Sequence, residues 1–133
     1  MARREPAATC ATLLDDGYVY LDVRTVTEFN QGHPTGAYNI PAFIPGPMGM
    51  TPNPHFVAEV QACFAPGTPI VLGCRSGGRS LMALRILAAA GYTNLVDNEA
   101  GWAGAAGSIG WHAAGLPAST TPDEGRDYTS LKR

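Results

Sequence analysis

The sequence is poor in charged residues and has no long apolar run. Only 15% of its 133 residues are charged, whereas 45% are hydrophobic, which is the composition of one compact globular domain. The formal net charge is −2, so no general basic field favours nucleic acid or an acidic membrane surface. Because neither a signal peptide nor a transmembrane span is visible, we expect a cytoplasmic protein without a nucleic-acid or membrane partner.

Cysteine and histidine are also scarce. The three cysteines lie far apart and form no CxxC pair, and their odd number argues against a disulfide framework or a zinc site. The histidines show no HxH or HxxxH spacing, so a metal site is not expected. These residues are Cys10, Cys63, Cys74, His33, His55 and His112.

Helical and extended patterns alternate along the chain. This order predicts an α/β domain with a mostly parallel sheet of about five strands and helices on both faces. We place this domain at residues 5–118 and a polar C-terminal tail at residues 119–133. The predicted helices are Glu5–Asp16, Thr25–Gln31, Phe56–Phe64 and Ser80–Ala90, and the predicted strands are Tyr18–Val23, Ala37–Ile40, Ile70–Leu72 and Asn94–Asp97.

Two longer segments are predicted to be loops. The first, Phe43–Pro54, is rich in proline and methionine, and the second, Trp102–Trp111, is rich in small residues. Loops of this length in a compact domain are often functional, so each is a candidate pocket wall. In the first loop we expect some of Phe43, Met48 and Met50 to form an apolar pocket rim that excludes water and selects the acceptor molecule.

The most informative segment is the run Cys74–Ser80. It follows the apolar strand Ile70–Leu72 and contains two glycines and two arginines. In a parallel sheet, ligands bind beyond the carboxyl ends of the strands, which is where Cys74 is expected. Turn amides, a helix start and two guanidinium groups together make an anion pocket. A thiol held there is expected to be substantially ionised and to attack an anionic or sulfur-bearing substrate.

Two motifs resemble the rhodanese family. The segment Leu21–Pro41 resembles a family signature that reads DVR, EF, GH and GA-x-NIP, and the run Cys74–Ser80 resembles the family's active-site loop. Gly91-Tyr92 and Gly115–Pro117 also match family positions, in the right order. The resemblance covers most of residues 5–118 and implies a three-layer rhodanese-like domain.

The resemblance also implies roles for single residues. Cys74 matches the nucleophile that carries sulfur as a persulfide. Arg79 matches the loop arginine that holds the anionic donor, and Arg75 matches a position that is often basic. Because Arg79 ends the turn where the helix N–H groups converge, whereas Arg75 directly follows the nucleophile, we expect Arg79 to contribute more than Arg75. The other expected substrate-binding positions are Ser76, Gly77, Gly78 and Ser80, and the matched residues with structural roles are Asp22, Arg24, Glu28 and His33.

Three functions are weighed. The leading one is a single-domain sulfurtransferase, monomeric or homodimeric, which moves sulfur from thiosulfate or a persulfide donor to cyanide or a thiol without a metal or organic cofactor. The second is a cysteine phosphatase or arsenate reductase on the same fold. Phosphatase loops resemble C-x5-R, whereas four residues separate Cys74 from Arg79 here, which favours sulfur transfer. The third is a binding or redox-sensing module, against which the retained cysteine and arginines argue.

Overall fold

The computed structural model describes residues 2–132, and each predicted helix and strand is present in it. Helix α4 begins at Gly78, earlier than the predicted start at Ser80. The helices are α1 (Ala7–Asp15), α2 (Val26–Gln31), α3 (Phe56–Cys63), α4 (Gly78–Ala89) and α5 (Tyr128–Leu131). The strands are β1 (Arg4–Glu5), β2 (Val19–Asp22), β3 (His33–Pro34), β4 (Tyr38–Asn39), β5 (Phe43–Gly46), β6 (Gly49–Pro52), β7 (Ile70–Gly73), β8 (Leu95–Asn98) and β9 (Ala118–Ser119).

Within residues 2–132, a five-stranded sheet with the order β1-β8-β7-β2-β4 forms the centre of the fold. All of its strand pairs are parallel, which confirms the expected α/β class. The edge strand β1 was not predicted, because its two residues are charged and carry no apolar alternation. It pairs with β8, and the partner of Arg4 in that register is Asp97.

Apolar side chains alternate between the two faces of the sheet. Along β7, Ile70 and Leu72 belong to one core and Val71 to the other. The first core lies under α3, α4 and α5 and includes Val60, Ala83, Leu84 and Leu87. The second lies under α1 and α2 and includes Ala7, Cys10, Phe29 and Trp111. Helices therefore cover both faces, as the alternating pattern predicts.

A buried polar network fixes the carboxyl ends of β2 and β4. Arg24 donates from Nη2 to Asp22 Oδ2 at 2.7 Å and to the Gly32 carbonyl at 2.6 Å. Asn39 donates from Nδ2 to the carbonyls of Asp22 and Arg24, each at 3.0 Å. Helix α2 then starts at a capping box between Thr25 and Glu28. This network sets the position of α2 beside the edge of the sheet where ligands are expected.

The segment Phe43–Pro54, predicted to be a loop without strands, contains a β-hairpin, so that prediction was wrong. Strands β5 and β6 pair antiparallel around a two-residue turn, with Gly46 opposite Gly49. Proline has no N–H group to donate to a neighbouring strand. In this two-stranded ribbon each strand has one edge without a partner, so Pro45 and Pro52 are tolerated there. The hairpin tip lies in solvent, where Met48 is 98% exposed.

The residues after Pro117 pack against the domain. β9 pairs antiparallel with β3, and the Asn39 N–H on the sheet edge donates to the Arg126 carbonyl at 2.9 Å. The Tyr128 hydroxyl donates to the Glu59 carboxylate at 2.9 Å. In the part of the chain from 2 to 132, no helix is both long and apolar enough to cross a bilayer.

The ion pair between Asp22 and Arg24 provides a test of the network. Both side chains are almost fully buried, so Asp22→Asn leaves an uncompensated guanidinium in the interior. We expect this variant to lose about 3–5 kcal/mol of unfolding free energy, the usual cost of breaking a buried pair. The measurement is urea denaturation at neutral pH.

Asp123→Asn is the matched control, because Asp123 pairs with Arg126 at 4.0 Å on the surface. It should change the unfolding free energy by less than about 1 kcal/mol. Equal losses in the two variants would contradict a special role for the buried pair.

Candidate active site

β7 delivers Cys74 to the carboxyl edge of the sheet. The strand is buried throughout, and a Cβ on Gly73 would overlap the Tyr20 hydroxyl group. Cys74 is itself only 2% exposed. Its Sγ accepts a hydrogen bond from the Gly77 N–H at 3.1 Å and lies 3.4 Å from Ser80 Oγ. The sulfur thus lies inside the turn, within reach of one backbone donor and one hydroxyl group.

Gly77 makes this arrangement possible. Its φ of +96° lies in the left-handed region, and a Cβ there would come within 2.6 Å of the Glu99 carbonyl oxygen. Gly77 is also the N-cap of α4, so the amide groups at the start of the helix are oriented toward the same turn. The positive end of the helix and the Gly77 N–H both stabilise negative charge on the sulfur.

The segment after β8 holds the turn from its other side. The N–H groups of Trp102 and Ala103 donate to the carbonyls of Cys74 and Arg75, each at 2.8 Å. This close approach requires Gly101, because a Cβ there would lie 2.5 Å from the Cys74 carbonyl oxygen. The start of the Trp102–Trp111 segment is therefore hydrogen-bonded directly to the cysteine turn.

The predicted substrate-binding residues divide into two groups. Some are exposed at the mouth of the turn, and the others are half-buried or buried. Arg75, Ser76 and Gly78 are exposed, Arg79 is half-buried, and Gly77 and Ser80 are buried.

Arg79 makes a bidentate ion pair with Glu28 of α2. Its Nη1 and Nη2 atoms donate to Glu28 Oε1 and Oε2 at 2.7 and 2.9 Å. The sequence assigned Arg79 to the donor anion and gave Glu28 only a structural role. In the structure the carboxylate neutralises much of the arginine's charge. Among residues 2–132, by contrast, no carboxylate pairs with Arg75.

The ion pair changes the titration of Glu28. Hydrogen bonds from Arg79 lower the pKa of Glu28 to about 2, with further help from the Thr25 amide and against an opposing effect of burial. The same pair raises the pKa of Arg79. Both groups are therefore charged at neutral pH, and α2 is tied to the first turn of α4.

A cavity of about 430 Å³ opens beside the turn. The indole of Trp102 stacks on the His112 ring with 5.1 Å between centroids, and the Arg24 guanidinium lies 5.3 Å from the indole centroid. The hairpin residues Phe43, Met48 and Met50, expected to form the rim, are absent from the lining of this cavity. Its lining residues are Arg24, Glu28, Gln31, Arg75, Trp102, Ala103, His112 and Ala113.

The other two cysteines lie away from the turn. Cys10 is fully buried in α1, and burial next to Asp97 and Glu5 raises its pKa to about 12, so its thiol is unreactive at neutral pH. Cys63 ends α3 and packs against the first core. Neither residue follows a strand at the carboxyl edge of the sheet.

Sequence reasoning missed three features of this site: the partner of Arg79, the stacked Trp102 and His112, and the close approach of the Arg4 guanidinium to Gly77. Of the three, only Glu28, the partner of Arg79, had a local signal in the sequence. The capping-box spacing of Thr25 and Glu28 placed its carboxylate at a helix start. Arg4 is distant along the chain from the residues that it contacts. Trp102 and His112 lie in one segment that is rich in turns, where the sequence carries no periodic signal.

The fold and the site define an α/β domain with a cysteine in an amide-lined turn at the carboxyl edge of its sheet. A model of the rhodanese-like domain matches residues 7–107, and the chain belongs to the rhodanese family.

Named relatives support this assignment. Thiosulfate sulfurtransferase 16, chloroplastic, from Arabidopsis thaliana is 40% identical over 118 residues, which cover 86% of this chain and 93% of that protein. Protein HIGH ARSENIC CONTENT 1, mitochondrial, from the same plant is 29% identical, with coverage of 87% and 65%. The crystal structure of Rv0390 from M. tuberculosis superposes with a TM-score of 0.72 at 27% identity, covering 90% of this chain and 98% of that one.

The depressed pKa of Glu28 predicts a pH-dependent contribution to stability. Its folded pKa lies below its unfolded value, so the contribution is complete above about pH 5 and is lost as the pH falls through about 2. We expect Glu28→Gln to cost about 1–2 kcal/mol at neutral pH, after allowing for solvent screening, and less at pH 3.

The measurement is the urea midpoint of both proteins at the two pH values. Glutamine keeps one oxygen for the capping hydrogen bond, so the variant removes the charge and the second hydrogen bond from Arg79. Glu124→Gln, at an exposed position, is the control. A Glu28→Gln effect that stays constant between the two pH values would refute the linkage.

Proposed function

We propose that this protein is a sulfurtransferase that carries sulfur on Cys74. The observation that carries the proposal is the Gly77 N–H, which donates to the Cys74 sulfur at 3.1 Å in a turn that opens onto α4. The Cys74 thiolate attacks the outer sulfur of thiosulfate, the S–S bond breaks, and sulfite leaves with the electron pair. An acceptor then attacks the outer sulfur of the persulfide and regenerates the thiolate.

Two features of the turn can bind the donor anion: the N-terminus of α4 and the Arg75 guanidinium. Exposed Ser76 and Gly78 lie at the mouth of the turn, beside the N-terminus of α4. Arg75 adds a cation that no carboxylate of residues 2–132 neutralises, whereas Arg79 is shared with Glu28. We therefore place the donor sulfonate nearer to Arg75, which reverses the ranking of the two arginines expected from the sequence.

The acceptor site is the cavity beside the turn. Its volume of about 430 Å³ is far larger than thiosulfate or cyanide requires, so it fits an organic thiol. Arg75 supplies an uncompensated positive charge on one side, and Trp102 supplies a flat apolar wall. We propose that the preferred acceptor is a thiol that also carries a carboxylate. A cytoplasmic location and a monomeric or dimeric state remain part of this proposal.

The alternative is oxyanion chemistry at the same cysteine, and a relative named for high arsenic content makes arsenate a reasonable probe. Four residues separate Cys74 from Arg79, and the Gly77 N–H already contacts the sulfur. This short ring of amides leaves less room for a tetrahedral group than a C-x5-R loop. Turnover of arsenate or an aryl phosphate faster than sulfur transfer would favour the alternative.

The persulfide provides the direct test of the proposed chemistry. After incubation with thiosulfate, the intact protein should gain the mass of one sulfur atom, and cyanide should remove it. Cys74→Ser should show no gain, because the buried Cys10 is not reactive and Cys63 lies outside the turn. Cys10→Ala and Cys63→Ala are the matched controls and should behave as the wild type. A gain that survives Cys74→Ser would refute the assignment.

The proposed acceptor site predicts that the persulfide prefers a negatively charged thiol and that this preference depends on Arg75. Wild-type persulfide should discharge faster to 3-mercaptopropionate than to cysteamine, which bears a positive charge in place of the carboxylate. Arg75→Ala should remove most of this preference, a loss of about tenfold for one charge-assisted hydrogen bond. The measurement is single-turnover discharge of preformed persulfide.

Trp102→Ala should slow discharge to both thiols, while discharge to cyanide stays within about twofold, because cyanide makes little use of an apolar wall. Ile109→Ala is the control, since Ile109 is 69% exposed in the same segment. Equal discharge rates for all acceptors and variants would mean that the cavity takes no part.

A further inference from the structure

The ion pair between Arg79 and Glu28 is held in place by the start of α2. Besides the two hydrogen bonds from Arg79, the Glu28 Oε1 atom accepts from the Thr25 N–H at 3.2 Å and from the Thr25 hydroxyl group at 3.0 Å. Donors on two residues therefore fix this carboxylate. An anion that recruited Arg79 would have to break a bidentate, charge-assisted pair.

The pair lies at the site and is open to solvent. Each of the two side chains is 26% exposed, and Glu28 lines the cavity beside the cysteine turn together with Arg75. Arg79 is the second residue of α4, whose N-cap Gly77 donates to the Cys74 sulfur. An anion that enters the mouth of the turn therefore approaches a carboxylate as well as a guanidinium group.

Other arginines around the turn are matched by carboxylates in the same way. Arg24, in the cavity wall, pairs with the buried Asp22. Arg4, whose guanidinium comes close to the turn, pairs with Asp97 of β8. Among residues 2–132, Arg75 is the arginine of this cavity that forms an ion pair with no carboxylate.

The number of available cations decides which anions such a site binds well. A divalent oxyanion such as sulfate or thiosulfate gains most from two cations, whereas a monovalent group needs only one. Here the charge of Arg79 is offset by Glu28, which also repels an incoming anion. A divalent anion therefore loses the advantage that its second charge would give it beside two free arginines.

We propose that Glu28 is a specificity-determining residue: by holding Arg79, it disfavours divalent sulfur donors and favours organic donors that carry a single negative charge. The inference rests on the proposed function, because it concerns the donor that reaches Cys74. For a thiosulfonate, R–SO₂–S⁻, the Cys74 thiolate attacks the outer sulfur, the S–S bond breaks, and the sulfinate R–SO₂⁻ leaves with the electron pair. The cavity of about 430 Å³ has room for the R group.

The first experiment measures anion binding without sulfur transfer. Iodoacetamide alkylates Cys74 in the full chain at neutral pH and constant ionic strength, and the readout is the anion concentration that halves the alkylation rate. In the wild type, divalent sulfate and monovalent methanesulfonate should protect at concentrations within about threefold of each other, since one cation is available. Glu28→Gln should lower the half-protecting concentration of sulfate by about tenfold, the value of one charge-assisted hydrogen bond, and that of methanesulfonate by about threefold or less.

The second experiment compares two donors that differ by one charge, thiosulfate and methanethiosulfonate, in single-turnover persulfide formation. Glu28→Gln should speed loading from thiosulfate about tenfold relative to loading from methanethiosulfonate. Arg79→Gln leaves the carboxylate unpaired, so it should slow loading from thiosulfate more than loading from methanethiosulfonate. A variant that combines both substitutions keeps the net charge and should return to within about threefold of the wild type.

Glu124→Gln is the matched control, because it removes the same charge at an exposed position and should leave the donor ratio unchanged. Thermal melting of every variant separates stability from specificity, since a purely structural role would change both donors equally.

An unchanged donor ratio in Glu28→Gln would overturn the proposal. So would a combined variant as slow with thiosulfate as Arg79→Gln, because Arg79 would then bind the donor despite its partner. If Glu28→Gln fails to fold, wild-type protection decides the question: a preference of about tenfold or more for sulfate over methanesulfonate would show two available cations and overturn the inference. Protection requires no sulfur transfer, so this failure is distinct from failure of thiosulfate to load the protein.

Discussion

The short passage from β7 into α4 is the constraint on which the site depends. The chain must leave a strand buried on both faces, reverse direction and begin a helix while its amides remain directed at the Cys74 sulfur. A residue with a side chain at Gly77 would collide with the Glu99 carbonyl, and one at Gly101 with the turn itself. The helix dipole and the Gly77 N–H then act on the thiol together because the turn has no room to relax.

Ion pairs around this turn distribute its charge unevenly. Arg24 is held by Asp22 and Arg79 by Glu28, so both guanidinium groups tie elements together as much as they attract anions. Arg4 pairs with the buried Asp97 of β8. Arg75 is left as the exposed, uncompensated cation at the mouth. A turn with two arginines in its sequence therefore behaves as a site with one readily available cation.

Local patterns predicted most of the fold. The continuous apolar run Ile70–Leu72 identified one buried strand, and the apolar pair Leu95-Val96 identified another. The spacing of Thr25 and Glu28 identified the start of α2. The hairpin over Phe43–Pro52 was missed, because its prolines are typical of irregular loops and its ribbon is not part of the main sheet. β1 was missed because two charged residues carry no periodic signal.

The sequence by itself determined the family through two motifs, Leu21–Pro41 and Cys74–Ser80, and it determined the α/β class and the position of Cys74 through the alternation of strand and helix patterns. It did not determine which charged groups face one another. Glu28 meets Arg79 and Arg4 meets Asp97 only after the parallel sheet has ordered its strands. The physical reason is that an ion pair or a stacked pair acts over a few ångströms, whereas its members can be separated by most of the chain, as Arg4 and Asp97 are.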